Sequence, residues 1–197
     1  MTHFSGLMIL ISSMLVSPAS AAQRDWAQWR GAQRDGKSTE KGLVQKIPDA
    51  GLPLLWKSEG FGRGYSSVSI ADGRIFTLGR IGEKECLIAA NAKDGTIQWT
   101  TPFGEGKHCN GTPTVDGDVV YAISLKGDLI CAHVATGVAV WTKTFAGDFG
   151  GKMMSGWGYS ESPLVDGDRL IVTPGAKDAI IVALDKRTGE EIWRTTE

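Results

Sequence analysis

Cysteine is scarce in this sequence. The 197 residues include only three cysteines, Cys86, Cys109 and Cys131. Three cysteines allow at most one internal disulfide, so the chain is not a small scaffold held together by disulfides. Its fold must depend on the burial of apolar side chains, and we expect each cysteine to behave as a small buried hydrophobe.

An excess of charge of either sign is also missing. The chain has 21 Lys and Arg against 22 Asp and Glu, which gives a net charge of −1. Proteins that bind nucleic acid through its phosphates carry a basic stripe or patch. The balance of charge therefore argues against a nucleic-acid partner.

No apolar run is long enough to cross a bilayer, which takes about 20 residues. The run from Gly6 to Val16 has 11 residues and is followed by Ala19-Ser20-Ala21, a small-residue pattern typical of a cleavage site. We predict a signal peptide over residues 1–21 and export of a mature chain without a transmembrane span, although no Lys or Arg precedes the run. The alternative is an uncleaved membrane anchor.

Glycine and tryptophan, in contrast, are abundant, with 26 and 7 residues. Glycine makes up about 13% of the chain, nearly twice its usual share of about 7%. It has no Gly-X-Y period, which excludes collagen. The excess predicts many tight turns between short strands that are anchored by aromatic side chains.

Four of the tryptophans mark an internal repeat. Trp56, Trp99, Trp141 and Trp193 lie 43, 42 and 52 residues apart. Three segments that end at the last three tryptophans share the pattern Ala-x-Asp-x-x-Thr-Gly-x-x-x-Trp, and only the third matches in full. In the second segment, His133 takes the place of the Asp, and we interpret this histidine as structural.

Each repeat contains four short runs of strand-forming residues separated by glycine turns, without the 3.6-residue period of a helix. Four strands per repeat of this length are typical of a β-propeller blade. We predict an all-β fold, a partial β-propeller with blades at about 65–100, 111–143 and 160–195, one preceding strand at 54–58, and an N-terminal extension at 22–53. The four tryptophans are predicted to lock adjacent blades together. The alternative fold is a β-sandwich.

The links between blades are the candidate binding surface. The spacing of 52 residues places an insertion between Thr144 and Tyr159, and the equivalent shorter link runs from Thr101 to Asn110. In propellers such links lie on the face that usually binds ligands. The candidate residues on this binding face are His108, Asn110, Lys152, Trp157 and Tyr159.

The repeat pattern resembles that of the quinoprotein, or PQQ-like, β-propeller superfamily. Asp25-Trp26-Ala27-Gln28-Trp29-Arg30-Gly31, followed by Arg34-Asp35-Gly36, is similar to the DWPQWRG opening of a secreted bacterial family of PQQ-binding-like repeats. The segment 157–168, WGYSESPLVDGD, is also similar to that family. Ala27 departs from the family's proline.

The resemblance implies a ring of seven or eight blades, in a chain about twice this length. Three blades cannot close a ring, and they leave open sheet faces that favour association. We therefore interpret the sequence as a truncated product or a fragment. The alternative is self-association that completes a ring.

The resemblance also raises a cofactor, because some members of the superfamily are alcohol dehydrogenases that use PQQ with calcium. Their sites carry an adjacent Cys-Cys pair, a tryptophan under the quinone, and acidic and amide side chains near the metal; this sequence has no adjacent cysteines. Trp157 and Glu161 are the candidates for a stacking ring and a carboxylate. The competing interpretation is that Trp157 and Tyr159 pack the link onto the propeller and Glu161 accepts a backbone hydrogen bond. No catalytic and no metal-binding residue is assigned, since His108 beside Cys109 supplies only two ligands.

The function predicted from these features is that of an exported bacterial propeller, periplasmic or extracellular. It would be a non-catalytic binding or assembly scaffold with a protein or polymer partner on one face, similar to the propeller lipoprotein of outer-membrane assembly. PQQ with calcium is implied by resemblance alone. The alternatives are a fragment of a quinoprotein alcohol dehydrogenase and a degenerate product without a function of its own.

Overall fold

A computed structural model describes residues 25–196 of the chain. The predicted signal peptide, residues 1–21, lies outside the described residues. Within them the fold is nearly all-β, with twelve strands and one short helix. No helix in this part of the chain is both long and apolar enough to span a bilayer.

The strands form three four-stranded antiparallel sheets, each in sequence order, which confirms the predicted fold of three propeller-like blades. Their bounds are β1 Ser69–Ala71, β2 Arg74–Ile81, β3 Lys84–Asn91 and β4 Ile97–Gly104 in the first sheet; β5 Thr114–Asp116, β6 Val119–Ile123, β7 Asp128–His133 and β8 Ala139–Thr144 in the second; and β9 Leu164–Asp166, β10 Arg169–Val172, β11 Val182–Asp185 and β12 Glu191–Arg194 in the third. Helix α1, Phe145–Phe149, follows β8.

The middle sheet shows how the core is divided. Val120 and Ala122 on β6 join a buried cluster shared with the first sheet, whereas Tyr121 and Ile123 join a cluster shared with the third. Because successive side chains of a strand point to opposite faces, a continuous apolar run serves two interfaces at once. The central strands are therefore apolar on both sides, and the three sheets stack through two separate cores.

The Asp-Gly pairs of the first two sheets, Asp72-Gly73 and Asp116-Gly117, lie in hairpin turns of different register. In the first sheet, Asp72 and Gly73 are the two turn residues, with φ of 47° and 69°. In the second sheet, the turn residues are Gly117 and Asp118, and only Gly117 has a positive φ, of 59°. Asp116 is the last residue of β5, so the same sequence pair closes the two hairpins one position apart.

The prediction of a strand at residues 54–58 is wrong in its backbone. These residues form no strand in the described part of the chain, where no neighbouring strand pairs with them. The side chain of Trp56 nevertheless lies on the first sheet, where a methyl group added to Gly95 would come within 2.7 Å of its ring. Trp56 therefore makes the contact expected of a repeat tryptophan although its backbone pairs with no strand in the described residues.

Candidate functional site

The two ends of the sheets carry different segments. Because the strands are antiparallel and follow sequence order, the link that leaves each fourth strand lies at the same end as the turn between the second and third strands. We call this end the link face; it comprises links 59–68, 105–113 and 145–163 and turns 82–83, 124–127 and 173–181. The opposite end, the turn face, carries the remaining turns of each sheet.

The repeat tryptophans contact the glycine turn of the following sheet. A methyl group on Gly137 would lie 2.5 Å from the ring of Trp99, and one on Gly189 would lie 2.8 Å from the ring of Trp141. The indole Nε1 of Trp99 donates to the carbonyl of Val134 at 3.0 Å, and the indole Nε1 of Trp141 donates to the carbonyl of Lys186 at 3.2 Å. Trp193 is 40% exposed. Whether these contacts lock the sheets energetically remains a prediction.

A groove lies on the link face and receives residues from all three links. It has a volume of about 380 Å³ and is lined by Tyr65, His108, Asn110, Trp157 and Ser160. Tyr65, Asn110 and Ser160 each stand four residues before the first strand of their sheet. The repeat thus brings three equivalent positions together, with a different side chain at each.

Two large aromatic side chains in the groove are open to solvent. Tyr65 is 79% exposed and Trp157 is 76% exposed. His108 packs edge-on against Tyr65, with ring centroids 5.4 Å apart. The groove therefore offers flat apolar surfaces, and its lining carries no Asp, Glu, Lys or Arg.

Asn110 ties the second link to the third. Its Nδ2 donates to the carbonyl of Trp157 at 2.9 Å and to the hydroxyl of Ser160 at 3.0 Å. These bonds fix the backbone beneath Trp157 while its ring stays exposed. The exposed ring agrees with Trp157 as a candidate of the binding face, and the competing interpretation, in which this side chain packs the link onto the propeller, does not hold. Lys152, on the same link, is exposed.

Tyr159 does not belong to the exposed binding face, contrary to the sequence prediction. It is buried, with its ring edge-on to Phe145 at 4.9 Å and its hydroxyl donating to the carbonyl of Pro174 at 2.8 Å. Its backbone N–H donates to Leu125 at 3.0 Å. Tyr159 instead anchors the third link to the second and third sheets.

Glu161 follows Ser160 on the third link and is half-buried. One of its carboxylate oxygens accepts the N–H of Thr173 at 3.0 Å. Burial raises the pKa of Glu161 from 4.5 to about 7, against the opposing effect of that hydrogen bond. The carboxyl group is thus engaged with backbone, which matches the interpretation of Glu161 as a backbone hydrogen-bond acceptor.

Sequence reasoning missed Glu85, a fully buried carboxylate on β3. Its two oxygens accept the N–H of Leu125 at 3.2 and 3.0 Å, and it also accepts from the N–H of Gly106 and the thiol of Cys109. Burial raises the pKa of Glu85, and these bonds oppose that rise. The signal available in the sequence was a single acid at the head of the apolar run Cys86–Ala90.

The three cysteines are buried and free, which confirms the expectation that they behave as hydrophobes. Burial raises the pKa of the Cys109 thiol, and the neighbouring Glu85 adds to that effect. A neutral thiol is a poor nucleophile and metal ligand. In residues 25–196, no group of three or more His, Cys, Asp or Glu side chains is arranged to hold a metal ion.

Comparison with known proteins places these features in a wider group. Residues 100–195 match the PQQ_2 family, which is described as outer membrane protein assembly factor BamB. The outer membrane protein assembly factor BamB of Burkholderia pseudomallei is 27% identical over 117 residues, which cover 55% of this chain. The aligned region spans only 27% of that relative's length.

Two solved structures resemble the fold. BamB from Moraxella catarrhalis superposes with a TM-score of 0.54 at 21% identity, over 72% of this chain and 39% of the other. The quinohemoprotein alcohol dehydrogenase ADHIIG from Pseudomonas putida HK5 superposes with a TM-score of 0.66 at 20% identity, over 87% of this chain and 26% of the other. At these identities the likeness concerns the fold. The tryptophan repeat, the three stacked sheets and these matches together support a PQQ-like β-propeller repeat fold for this chain.

Proposed function

We propose that this protein is an exported, non-catalytic scaffold of the bacterial envelope that binds a protein partner through its link face. The observation that carries the proposal is the groove, in which two aromatic side chains are more than three-quarters exposed, while hydrogen bonds from Asn110 and Tyr159 hold the backbone of the third link. A rigid surface with exposed aromatic anchors is suited to binding, because ordering it costs little on association.

The composition of the link face supports a protein as the partner. Tyrosine and tryptophan dominate the binding energy of protein interfaces, and methionine is enriched there. Met154, on the same link as Trp157, is 97% exposed. Single exposed apolar residues need no explanation, but three large ones on one end of the molecule favour an interaction site.

The relatives suggest which kind of protein binds. Those found by sequence are named outer membrane protein assembly factors. We therefore propose a partner within the machinery that assembles outer membrane proteins, and an envelope location for this chain. A signal peptide at residues 1–21 would account for its export.

The experiment is a binding titration of the full chain against the purified outer-membrane assembly complex of the source bacterium, measured by surface plasmon resonance. Trp157→Ala and Tyr65→Ala should each weaken saturable binding by about tenfold or more, as expected for central interface aromatics. Val138→Ala is the control, because Val138 is 61% exposed in a turn of the turn face. Absence of saturable binding by the parent chain, or equal losses in all three variants, would contradict the proposal.

The second candidate function is a part of a quinoprotein alcohol dehydrogenase, favoured by the fold of the Pseudomonas enzyme. The described residues fit PQQ with calcium poorly. Glu161 is held by the N–H of Thr173, and the cysteines are separate and buried. When bound, the quinone would supply the oxidising group, with Trp157 as the available stacking surface. Titration with PQQ and Ca²⁺, read by quinone absorbance, tests this candidate: saturable binding that Trp157→Ala abolishes would favour it over the scaffold.

A further inference from the structure

Within the described part of the predicted N-terminal extension, residues 25–36 form a segment that contacts all three sheets at or next to their first strands; we call it the strap. Trp26 exchanges two backbone hydrogen bonds with Ile70 of β1, at 2.8 and 3.0 Å. The N–H of Val115 on β5 donates to the carbonyl of Ala27 at 2.8 Å. The strap is therefore paired to the first strands of two successive sheets.

Arg34 extends the strap to the third sheet. Its Nη2 donates to the carbonyl of Pro163 at 2.6 Å, and its Nε donates to Oε1 of Gln28 at 2.9 Å. Gln28 also donates to the carbonyl of Ala32, so the strap itself holds the guanidinium in place. A hydrogen bond from a charged donor is stronger than one between neutral groups.

The carbonyl of Pro163 is where the strap, the second sheet and the third link meet. It also accepts the buried hydroxyl of Thr114 at 2.6 Å, so both of its lone pairs are used. The preceding Ser162 accepts the N–H of Thr112 at 3.0 Å. Pro163 is the last residue of the link before β9, and Ser160 and Trp157 of the groove lie just upstream.

Arg30 has a φ of 63°, and Arg34, on the same strap, likewise adopts the left-handed backbone conformation. The φ of Arg34 is 53°, in the left-handed region that glycine adopts far more readily than a residue with a Cβ. Gly31 and Gly36 of the same strap also have positive φ, of 79° and 75°. The energetic cost of this backbone conformation at Arg34 is offset by the contacts of its guanidinium.

We infer that Arg34 is a positioning residue for the link-face groove, which it acts on by holding Pro163 and hence the segment that presents Ser160 and Trp157. The groove's role in binding rests on the proposed function. The inference about the position of the link does not depend on that function, because this position can be measured without any partner.

The test uses the full chain labelled with 5-fluorotryptophan and observed by ¹⁹F NMR, with the Trp157 signal assigned from Trp157→Phe. Arg34→Gln should shift or broaden that signal and raise amide exchange in residues 157–163 by about tenfold, the effect of losing one charge-assisted hydrogen bond. The signals of Trp99 and Trp141 should stay in place. Arg34→Lys, which keeps one charged donor, should restore part of the parent behaviour.

Arg30→Gln is the matched control. Arg30 lies on the same strap, but its guanidinium stacks over Trp29 at 5.4 Å and donates to the carbonyl of Asp35, both within the strap. It should leave the Trp157 signal unchanged.

An unchanged Trp157 signal in Arg34→Gln, or an equal change in Arg30→Gln, overturns the inference. If Arg34→Gln unfolds the chain, Gln28→Ala, which removes the acceptor of Arg34 Nε and the bond to Ala32 but keeps the bond from Nη2 to Pro163, must still perturb Trp157 selectively, and a lack of effect counts against the inference. A perturbed link in a chain that binds no assembly complex would reject the proposed function and leave this inference standing.

Discussion

The turn face and the link face of the same three sheets differ in what the repeat controls. At the turn face the contacts recur, since Trp56, Trp99 and Trp141 each lie against the glycine of the next third-to-fourth-strand turn. At the link face, equivalent positions hold different residues, such as Tyr65 and Asn110. Repeated residues make the same inter-sheet contact each time, whereas the residues that depart from the repeat differ from link to link and line the groove.

The largest expected effect breaks a recurrent contact. Trp99→Ala should lower the free energy of unfolding by about 3 kcal/mol, because it removes a packed ring and leaves a cavity between two sheets. Trp193→Ala is the matched control at the same repeat position, and its 40% exposed side chain should matter much less. Urea unfolding of both variants checks the difference, and equal losses would mean that the inter-sheet contact is not the cause.

A second prediction tests whether the link face also has a fixed foundation. Glu85→Ala should cost about 2–3 kcal/mol, since it leaves the buried N–H groups of Leu125 and Gly106 without an acceptor. Glu105→Ala, which removes an exposed partner of Lys84, is the control and should have no measurable effect. Thermal unfolding monitored by circular dichroism measures both, and a Glu85 variant as stable as the parent would contradict the assignment.

The third prediction concerns pH. Because burial raises the pKa of Glu161 to about 7, the folded state binds this proton more tightly than the unfolded state does. The resulting stability is complete below the ordinary pKa of 4.5 and is lost as the pH rises through about 7.

Glu161→Gln keeps an acceptor for the N–H of Thr173 and removes the titration. Relative to the parent, this variant should gain roughly 2 kcal/mol between pH 5 and pH 8. Urea midpoints across that range decide the matter, and parallel curves for the two proteins would show that Glu161 does not titrate there.

The smallest expected change in stability comes from the groove itself. Trp157→Ala removes a ring that is 76% exposed, so the free energy of unfolding should change by no more than about 0.5 kcal/mol. A marked loss of stability would mean that the ring packs against the link, and any loss of binding in this variant would then need another explanation.

The sequence predicted the repeated contacts of the turn face better than the groove of the link face. The tryptophan spacing and the glycine turns predicted three four-stranded sheets, because each recurrent residue has one recurrent contact. The groove was predicted only as a face, since the positions of Tyr65 and Ser160 depend on how three links converge. Exposure could not be read from residue type, and it separates Trp157, which is open, from Tyr159, which is buried. Glu85 escaped because its partners lie 21 to 40 residues further along the chain.

The contact between each tryptophan and the next glycine is directional. The earlier sheet supplies the indole and the following sheet supplies the glycine backbone, so the stack of sheets has a direction. Removing the segment between two successive repeat tryptophans, including the first of them, takes out one indole together with the glycine that it contacts. Every remaining tryptophan then still meets a glycine turn. Modules bounded in this way are interchangeable in principle, which gives duplication and recombination a simple route to propellers with different numbers of blades.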